Sequence, residues 1–379
     1  MKIGINAYEA NVKNRVGSNE YAFHVLVELE KITKQTQDKV EIFLPSSPVQ
    51  DLPSERPGWK YTVLTPTKFW TFFRLPLELC FRFLLGKKFD VFYSLGHYAP
   101  RFCPFPSIIS IMDLAFEQYP KLFKTSDLFK LKNWTRYSVK QARKIIAISN
   151  QTKKDLVEVY GVNPEAIEVA YPGFEKKAVD FGAEQQNLLE KLRVKKPYIL
   201  YLGTIQPRKN LILLIQAFNV LKNKASFSSL SLVIAGKIGW MADEVMEEVK
   251  KSPAKDAVIM PGFVSEEEKA ALYVNADVVT LIGLYEGFGI PALEALHYGV
   301  VPVVSNTSSL PEVVGQAGIL VDPTDINDIA KGIEQALTLS ESEKNQLKQF
   351  GEKQTKLFTW EKTGKIIYDV LQRTAKEQT

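Results

Sequence analysis

Cysteine, histidine and long apolar runs are scarce in this sequence. Its 379 residues include two cysteines, Cys80 and Cys103, and three histidines. Two cysteines do not support a disulfide framework or a thiolate metal site. No uncharged stretch reaches the roughly 18 apolar residues that a membrane-spanning helix needs, and the first residues turn polar too soon for an export signal. We therefore expect a cytoplasmic protein without a membrane-spanning helix.

The overall composition is that of an ordinary globular protein, with 45% hydrophobic and 24% charged residues. The chain length suggests two domains of about 150–200 residues each. Residues 1–182 hold 26 Lys and Arg against 19 Asp and Glu, whereas the remainder holds 22 against 24. A basic first half suits a phosphorylated acceptor or an anionic membrane surface. Nucleic acid is not an expected partner, because no recognisable binding module is present.

Short apolar segments alternate with helical segments along the whole chain, which predicts parallel sheets covered by helices. The expected strands are 2–6, 40–44, 91–94, 107–112, 144–149 and 169–170, followed by 198–202, 232–235, 257–260, 278–282 and 301–304. Helices are expected over 20–31 and from about Asn210, Ser265, Ile290 and Asp325. Residues 175–196 are charged, carry no strand pattern and are interpreted as a connection. The pattern indicates two doubly wound α/β domains, in which ligands bind beyond the carboxyl ends of the strands.

The first motif with a chemical meaning is Arg208-Lys209-Asn210. A strand ends at Gly203, and Asn210 is expected to cap the helix that follows. Arg208 and Lys209 would then lie between the carboxyl end of a strand and the positive end of a helix. The planar guanidinium and the point charge of the ammonium together suit a diphosphate. Taken alone, the pair is equally compatible with two solvated charges before a helix.

The second motif is Glu286-Gly-Phe-Gly-Ile-Pro-Ala-Leu-Glu294, which follows a strand and opens a helix. Backbone N–H groups around Gly289 and Ile290 can bind phosphate at the helix N-terminus. Glu294 lies one turn into the helix, and its carboxylate could accept hydrogen bonds from both hydroxyls of a ribose. Glu286, on the loop itself, would reach the group beyond the phosphates.

Two glutamates separated by seven residues in this Gly-Phe-Gly-Ile-Pro frame resemble the signature of the family-4 retaining glycosyltransferases, the glycosyl transferases group 1. The resemblance extends over nearly the whole chain. Its further segments are Gly203-Thr204 with Arg208–Asn210, Ala235–Lys237, Pro261–Ser265, Ala147–Ser149 and Tyr171–Gly173.

The resemblance implies a GT-B fold, with two Rossmann-like domains facing each other across a cleft. The acceptor-side domain would span residues 1–175 and the nucleotide-sugar domain residues 190–358. A C-terminal helix over about 360–379 would pack back onto the first domain.

The implied activity is retaining transfer of a hexose, of the mannose or glucose type, from a GDP- or UDP-sugar to a glycan or lipid-linked acceptor in cell-surface polysaccharide biosynthesis. The family needs no cofactor and no divalent metal. The sequence agrees, because it has no Asp-X-Asp and no cluster of side chains at metal-ligand spacing.

The resemblance also assigns roles to single residues. Arg208 and Lys209 would hold the donor diphosphate, Glu294 would bind the ribose, and the backbone near Val264 would contact the base. Glu286 would contact the donor sugar and is, with Asp113, a candidate catalytic residue. The donor-binding residues so implied are Gly17, Arg208, Lys209, Val264, Gly289, Ile290 and Glu294.

Two positions depart from the family pattern, both in the first half of the chain. Asn19 replaces the second glycine of the loop that begins at Gly17, and asparagine tolerates a left-handed turn there. Met112 stands before Asp113 where many relatives have histidine, and its side chain cannot donate a hydrogen bond. His97 is a candidate replacement on the acceptor side, with packing as its alternative. Asp113 could orient the acceptor hydroxyl or could be a turn residue.

Three other functions are compatible with parts of the pattern. A binding protein could keep the donor site but lack turnover, because the usual histidine is missing. A nucleotide-sugar epimerase of the same fold is disfavoured by the Arg-Lys pair together with the two glutamates. A nicotinamide dehydrogenase is disfavoured because no Gly-X-Gly-X-X-Gly follows the first strand.

Two segments raise the question of membrane contact. Residues 69–88 are rich in aromatic side chains and basic at both ends, so they could lie in a membrane interface. An ordinary apolar helix packed in the core is the favoured interpretation. Lys132, Arg136, Lys140 and Lys144 recur every fourth residue and could attract a lipid diphosphate or anionic headgroups. A solvated helix face explains them equally well.

Overall fold

The structure, a computed structural model, describes residues 1–15, 17–174 and 184–377. Val16, the part of the expected connection over 175–183, and the last two residues of the expected C-terminal helix lie outside the described residues. The chain divides into two units. Unit 1 comprises Met1–Gly173 and Phe358–Thr379, and unit 2 comprises Phe174–Leu357.

Unit 1 is built on a seven-stranded parallel sheet. The strands, in their order across the sheet, are β3 (Trp59–Val63), β2 (Lys39–Leu44), β1 (Lys2–Asn6), β4 (Val91–Ser94), β5 (Ser107–Ile111), β6 (Lys144–Ala147) and β7 (Ile167–Val169). The order reverses between β1 and β4, so the loops that follow these two strands separate there. Such a switch point is where open α/β sheets bind ligands.

The α-helices of unit 1, among its described residues, are α1 (Ser18–Thr36), α2 (Leu75–Leu84), α3 (Ala115–Gln118), α4 (Thr125–Gln141), α5 (Asn150–Tyr160) and α14 (Trp360–Lys376). A π-helical turn, Trp70–Arg74, runs directly into α2. The C-terminal α14 packs along α1. At this contact the Trp360 ring stacks on His24 with 4.5 Å between ring centroids.

Unit 2 has a six-stranded parallel sheet. The strands, in their order across it, are β10 (Val258–Gly262), β9 (Ser231–Ala235), β8 (Tyr198–Leu202), β11 (Val278–Leu281), β12 (Pro302–Ser305) and β13 (Ile319–Val321). Its helices are α6 (Glu184–Lys191), α7 (Leu211–Lys222), α8 (Asp243–Lys251), α9 (Glu266–Asn275), α10 (Ile290–His297), α11 (Leu310–Val314), α12 (Ile326–Thr338) and α13 (Glu341–Thr355). The order reverses between β8 and β11.

The strands form because both faces of each sheet are covered. Every residue of β4, β5, β11 and β12 is buried, and such strands appear in the sequence as short continuous apolar runs. Several helices begin at side-chain caps. Ser265 and Glu268 form a reciprocal capping box at α9, and Ser149 and Asp325 cap α5 and α12. Local signals and burial therefore agree along most of the chain.

The expected fold class of two Rossmann-like α/β domains is confirmed. The pattern missed β3 and β13, a half-exposed edge strand and a strand of three residues. The expected connection was wrong over its second half, because residues 184–191 form α6, which packs against α9. None of the described helices is long and apolar enough to cross a membrane.

The contact between α1 and α14 depends on the absence of a side chain at Gly364. A Cβ there would lie 2.5 Å from Cβ of Glu28, whereas a Cβ at Gly351 in α13 would meet nothing closer than 3.3 Å. Alanine is the better helix former at both positions by about 1 kcal/mol. Because the added methyl group would clash with Glu28, we nonetheless expect Gly364→Ala to lower the free energy of unfolding by about 1–3 kcal/mol. Urea unfolding measures this change. Gly351→Ala, the matched control, should be close to neutral; equal stability of the two variants would contradict the helix contact.

Candidate functional site

The loop after β8 lies at the switch point of unit 2 and is held there by Asn210. The expected role of Asn210 as a helix cap is wrong: its backbone is left-handed, with φ of 59°, and its side chain makes no capping hydrogen bond. Its Nδ2 instead donates to the carbonyls of Ile282, at 3.2 Å, and Pro323, at 2.7 Å. One buried amide therefore ties together the loops that follow β8, β11 and β13.

Lys209 and Glu286 form a buried ion pair across these loops. Nζ of Lys209 lies 2.7 Å from Oε1 and 2.8 Å from Oε2 of Glu286, whose residue is 5% exposed. Arg208 donates to the carbonyl of Tyr285 at 2.5 Å, and its Nη1 lies 3.5 Å from Oε2 of Glu286. Arg208, Lys209 and Glu286, which were all expected at the site, thus lie together at the carboxyl edge of the sheet.

The Glu286 loop is fixed from its other side by two serines. The Glu286 N–H donates to Oγ of Ser308 at 3.0 Å. The buried Ser309 hydroxyl lies 2.8 Å from the carbonyls of Glu286 and Phe288. These contacts fix the backbone on both sides of Gly287 and aim the Glu286 carboxylate at Lys209.

Glu294 faces a different pair of partners. Its Oε1 accepts from Nζ of Lys269 at 2.9 Å, and its Oε2 accepts from the hydroxyl of Tyr273 at 2.8 Å. Burial disfavours the Lys269 charge, but Glu294 and Glu266 outweigh it and raise the pKa of Lys269 above its usual range. Burial and the neighbouring Glu294 raise the pKa of Tyr273 as well. At neutral pH Glu294 is therefore held by an ammonium and a neutral phenol.

Between the two glutamates the chain enters α10 through Gly289. Its φ of 109° is a conformation that side chains disfavour, and a Cβ there would lie 2.6 Å from Cδ2 of Leu310. At the start of α10, Pro291 has no N–H, and the N–H groups of Ala292 and Leu293 donate to the Gly289 carbonyl. The backbone N–H of Ile290 is therefore the group of this first turn that suits an anion. Val264, by contrast, buries its side chain in the core and leaves only its backbone to the loop before α9.

In unit 1, Glu9 and Gly17 lie in the loop between β1 and α1, and Asn19 lies in the first turn of α1. Gly17 has φ of 55°, and a Cβ there would meet nothing within 4 Å. Asn19 is part of α1, so the expected left-handed turn at this position is wrong. Its side-chain amide donates to Oε2 of Glu9 at 2.7 Å and to the Glu9 carbonyl at 3.0 Å. Burial raises the pKa of Glu9, and the Asn19 hydrogen bond offsets part of the rise.

His97 and Asp113 follow β4 and β5, two neighbouring strands of the same sheet. Nε2 of His97 accepts from the backbone N–H of Met112 at 3.1 Å, whereas Nδ1 is buried and has no hydrogen-bond partner among the described residues. Oδ1 of Asp113 accepts from the N–H of Ala115, which is a turn contact. The histidine ring thus lies beside the backbone of Met112.

Three residues of these sites were not found from the sequence: Lys269, Tyr273 and Glu9. Lys269 and Tyr273 are four residues apart on α9, so they share a helix face, and that spacing was the available signal. For Glu9 the signal was its position just beyond β1 at the switch point of unit 1. Among the described residues, no group of three or more His, Cys, Asp or Glu side chains could hold a metal ion.

Two family models match consecutive parts of the chain. Residues 25–177 match the model described as "Glycosyltransferase Family 4", and residues 184–355 match "Glycosyl transferases group 1". A curated relative, the O-antigen chain mannosyltransferase B of Escherichia coli, is 31% identical over 226 residues, which cover 59% of each chain. The match thus spans about three fifths of that relative's length.

Solved structures match over nearly the whole chain. Sucrose-phosphate synthase from Thermosynechococcus elongatus gives a TM-score of 0.73 at 18% identity, covering 98% of both chains. HepE from Anabaena, crystallised with UDP-glucose, gives 0.68 at 16% identity, covering 98% of this chain and all of the other. The fold is therefore of the GT-B class, two Rossmann-like α/β units. The chain belongs to the family-4, or group 1, glycosyltransferases.

The burial of His97 gives a testable pH dependence. Burial lowers the pKa of His97 below its ordinary 6.5, and Asp113 offsets the shift only in part. The folded protein binds this proton less readily than the unfolded chain, so the free energy of unfolding falls as the pH drops below about 6.5. We expect the melting temperature to fall more between about pH 7 and pH 5.5 in the wild type than in His97→Gln, which keeps an acceptor for Met112. Identical pH profiles would show that His97 titrates normally.

Proposed function

We propose that this protein is a metal-independent, retaining hexosyltransferase. It transfers a hexose from a nucleotide-diphosphate sugar to a glycan or lipid-linked acceptor in cell-surface polysaccharide biosynthesis, in the cytoplasm. The observation that carries the proposal is the Lys209–Glu286 pair at the switch point of unit 2. In a nucleotide sugar the diphosphate and the sugar are adjacent. Here Lys209, which is suited to the diphosphate, contacts Glu286, which is suited to the sugar.

Charge at this edge supports binding of the diphosphate without a metal ion. Arg208 and Lys209 supply two positive charges, and the N-terminus of α10 supplies the oriented N–H of Ile290 a few residues beyond Glu286. As the bond from the anomeric carbon to the diphosphate breaks, negative charge grows on the phosphate oxygens. Fixed cations and dipoles at that place stabilise the transition state.

Glu294 is suited to the ribose of the donor. Each oxygen of an ionised carboxylate can accept about two hydrogen bonds, and the structure shows one on each oxygen, from Lys269 and from Tyr273. Remaining acceptor capacity can take the two ribose hydroxyls, while Lys269 and Tyr273 keep the carboxylate oriented. The backbone beside Val264, ahead of α9, is proposed to contact the base.

Mannose is the proposed sugar, on the basis of the similarity to a mannosyltransferase of O-antigen chains. The HepE structure was obtained with UDP-glucose, so glucose is the second candidate. The base is proposed to be guanine or uracil, and the HepE structure contains the uracil nucleotide. A thermal-shift panel of GDP-mannose, UDP-glucose and their free nucleotides tests this choice, since a ligand at 100 times its Kd adds about 2.7 kcal/mol of stability.

The acceptor side is proposed to be the switch-point edge of unit 1, where Asp113, His97 and Glu9 lie. In the transfer step, the acceptor oxygen forms a bond to the anomeric carbon while the bond from that carbon to the diphosphate oxygen breaks. The acceptor attacks on the face that the diphosphate leaves, so configuration is retained, and a phosphate oxygen takes the hydroxyl proton. No side chain has to remove that proton, which accounts for Met112 in place of histidine.

The two glutamates should differ kinetically. Glu286 faces the sugar, where positive charge grows in the transition state, so we expect Glu286→Gln to lower kcat by about 100-fold or more. Its KM for the donor should stay the same or fall, because the Glu286 carboxylate would no longer compete with the donor diphosphate for Lys209. Glu294 contacts a group that changes little during transfer, so we expect Glu294→Gln to raise KM about 10- to 100-fold with a smaller change in kcat. Saturation curves in donor measure both.

Glu334→Gln, the same chemical change at a surface ion pair of α12, serves as the matched control and should leave both constants unchanged. The role proposed for Glu286 is wrong if its variant raises KM alone. If the wild type binds the donor but neither transfers nor hydrolyses it, the protein is a binding protein and not a transferase.

Metal dependence gives a separate test. Because Arg208 and Lys209 bring the charge that a divalent ion would bring, turnover should be unchanged after treatment with EDTA. Initial rates with and without added Mg²⁺ or Mn²⁺ measure this. A loss of activity that either metal restores would contradict the proposed electrostatics.

A further inference from the structure

The helix that leads into β4 exposes one apolar stripe along its whole length. The π-helical turn Trp70–Arg74 and α2 form one continuous helical segment. Along it, a residue preceding the turn and every third or fourth residue after it point to solvent, with 58–81% of the residue exposed. We call this stripe the apolar face; its members are Phe69, Phe73, Leu77, Phe81 and Leu84.

The opposite side of the same segment is firmly in the core. Trp70, Leu75 and Leu79 are buried and pack with Phe43 and Phe92. The segment is therefore apolar on both sides, and the interpretation of residues 69–88 as an ordinary core helix was wrong for half of its surface. Large exposed apolar surfaces usually mark a partner or a membrane.

Two aromatic residues at this surface have a backbone conformation that bulky residues avoid. Phe69 has φ of 55° and Phe102 has φ of 62°. Phe102 is 69% exposed, and its carbonyl lies 3.6 Å from Sγ of Cys80 on α2, so its loop adjoins the helix. Left-handed conformations at such residues cost free energy and persist where the surroundings impose them. Both phenyl rings are exposed, Phe69 at 59% and Phe102 at 69%.

Positive charge surrounds the apolar face. Lys68, Lys87, Lys88 and Arg101 are exposed, and three of them lie over exposed rings: Lys68 on Phe69, Lys88 on Phe83 and Arg101 on Phe102. The acid within this helical segment, Glu78, is paired with both Arg74 and Arg82. The net charge around the apolar face is therefore positive.

We propose that the apolar face and its lysines dock this protein on an anionic lipid bilayer. Aromatic and aliphatic side chains enter the interface, and lysines at the rim attract acidic headgroups. A protein partner fits less well, because lysine is depleted in protein interfaces. The proposal names a further partner for the proposed transferase, but docking does not depend on transfer chemistry.

The other basic stripe does not form such a surface. Lys132 pairs with Glu117 at 3.0 Å, Arg136 lies over the Tyr160 ring, and Lys144 belongs to β6 rather than to the helix. The apolar face, in contrast, begins next to the switch-point edge of unit 1, where Tyr8 after β1 contacts Trp70 with ring centroids 6.0 Å apart. A lipid-linked acceptor in the bilayer would thus lie near the loops that we propose to bind it.

The test is co-sedimentation of the full chain with vesicles of phosphatidylcholine, with and without phosphatidylglycerol. We expect wild type to sediment with the anionic vesicles, and less so at high salt. The triple variant Phe73→Ser, Leu77→Ser, Phe81→Ser should lose at least about ten-fold in apparent affinity. The matched control Val159→Ser, Leu320→Ser, Leu357→Ser removes other exposed apolar side chains and should bind as wild type does.

Charge is tested with a second pair of variants. Lys87→Glu with Lys88→Glu should weaken binding to anionic vesicles, whereas the exposed neighbours Lys250→Glu with Lys251→Glu in α8 should not. Failure of the wild type to sediment, or sedimentation of the face variant like wild type, would overturn the proposal. The proposal would also be overturned if the wild type did not bind vesicles and light scattering showed a dimer that the triple serine variant of the apolar face abolishes. Donor-induced thermal shifts, unchanged in the face variant, show that fold and donor site are intact and keep the two proposals separate.

Discussion

The buried ion pair between Lys209 and Glu286 is the contact on which the site in unit 2 depends. Removing either partner would take away the closest compensation of a buried charge, at a cost of up to about 3–5 kcal/mol. Replacing both by apolar residues of similar size would be tolerated far better, so the pair is poorly explained as a device for stability. It is better explained as a pair of groups whose natural partners arrive with a ligand. Asn210, Ser308 and Ser309 fix the loops on either side of it.

The same principle applies to Glu294 one turn along α10. The carboxylate accepts hydrogen bonds from Lys269 and Tyr273, and these two side chains also fix its orientation. Both glutamates are buried and already held in place, so the site is pre-organised for the proposed donor and less binding free energy is spent on ordering. The two carboxylates are held by different cations, Lys209 after β8 and Lys269 on α9, so one can be altered without releasing the other.

Sequence patterns predicted the fold and the glutamates for identifiable reasons. Parallel strands buried on both faces leave continuous apolar runs, and the glutamates share one local frame with the glycines and proline that open α10. The contacts of Asn210 could not be predicted, since its partners Ile282 and Pro323 lie 72 and 113 residues away. Nor could periodicity separate the core side of α2 from its exposed side, because Leu75 and Leu79 are as apolar as Leu77 and Phe81. Which apolar stripe is covered depends on β2 and β4, not on the helix itself.

Unit 1 shows how a departure from a family pattern can be absorbed by its surroundings. Met112 brings no proton donor, but its backbone N–H is bound by a histidine from the neighbouring strand. Asn19 lacks the backbone freedom of a glycine, but its side-chain amide donates a hydrogen bond to the carboxylate of Glu9 in the preceding loop. In both places a polar group reaches the switch-point edge from another element. The edge also adjoins the apolar face through Tyr8 and Trp70, so the proposed bilayer contact and the proposed acceptor contact belong to one surface of unit 1.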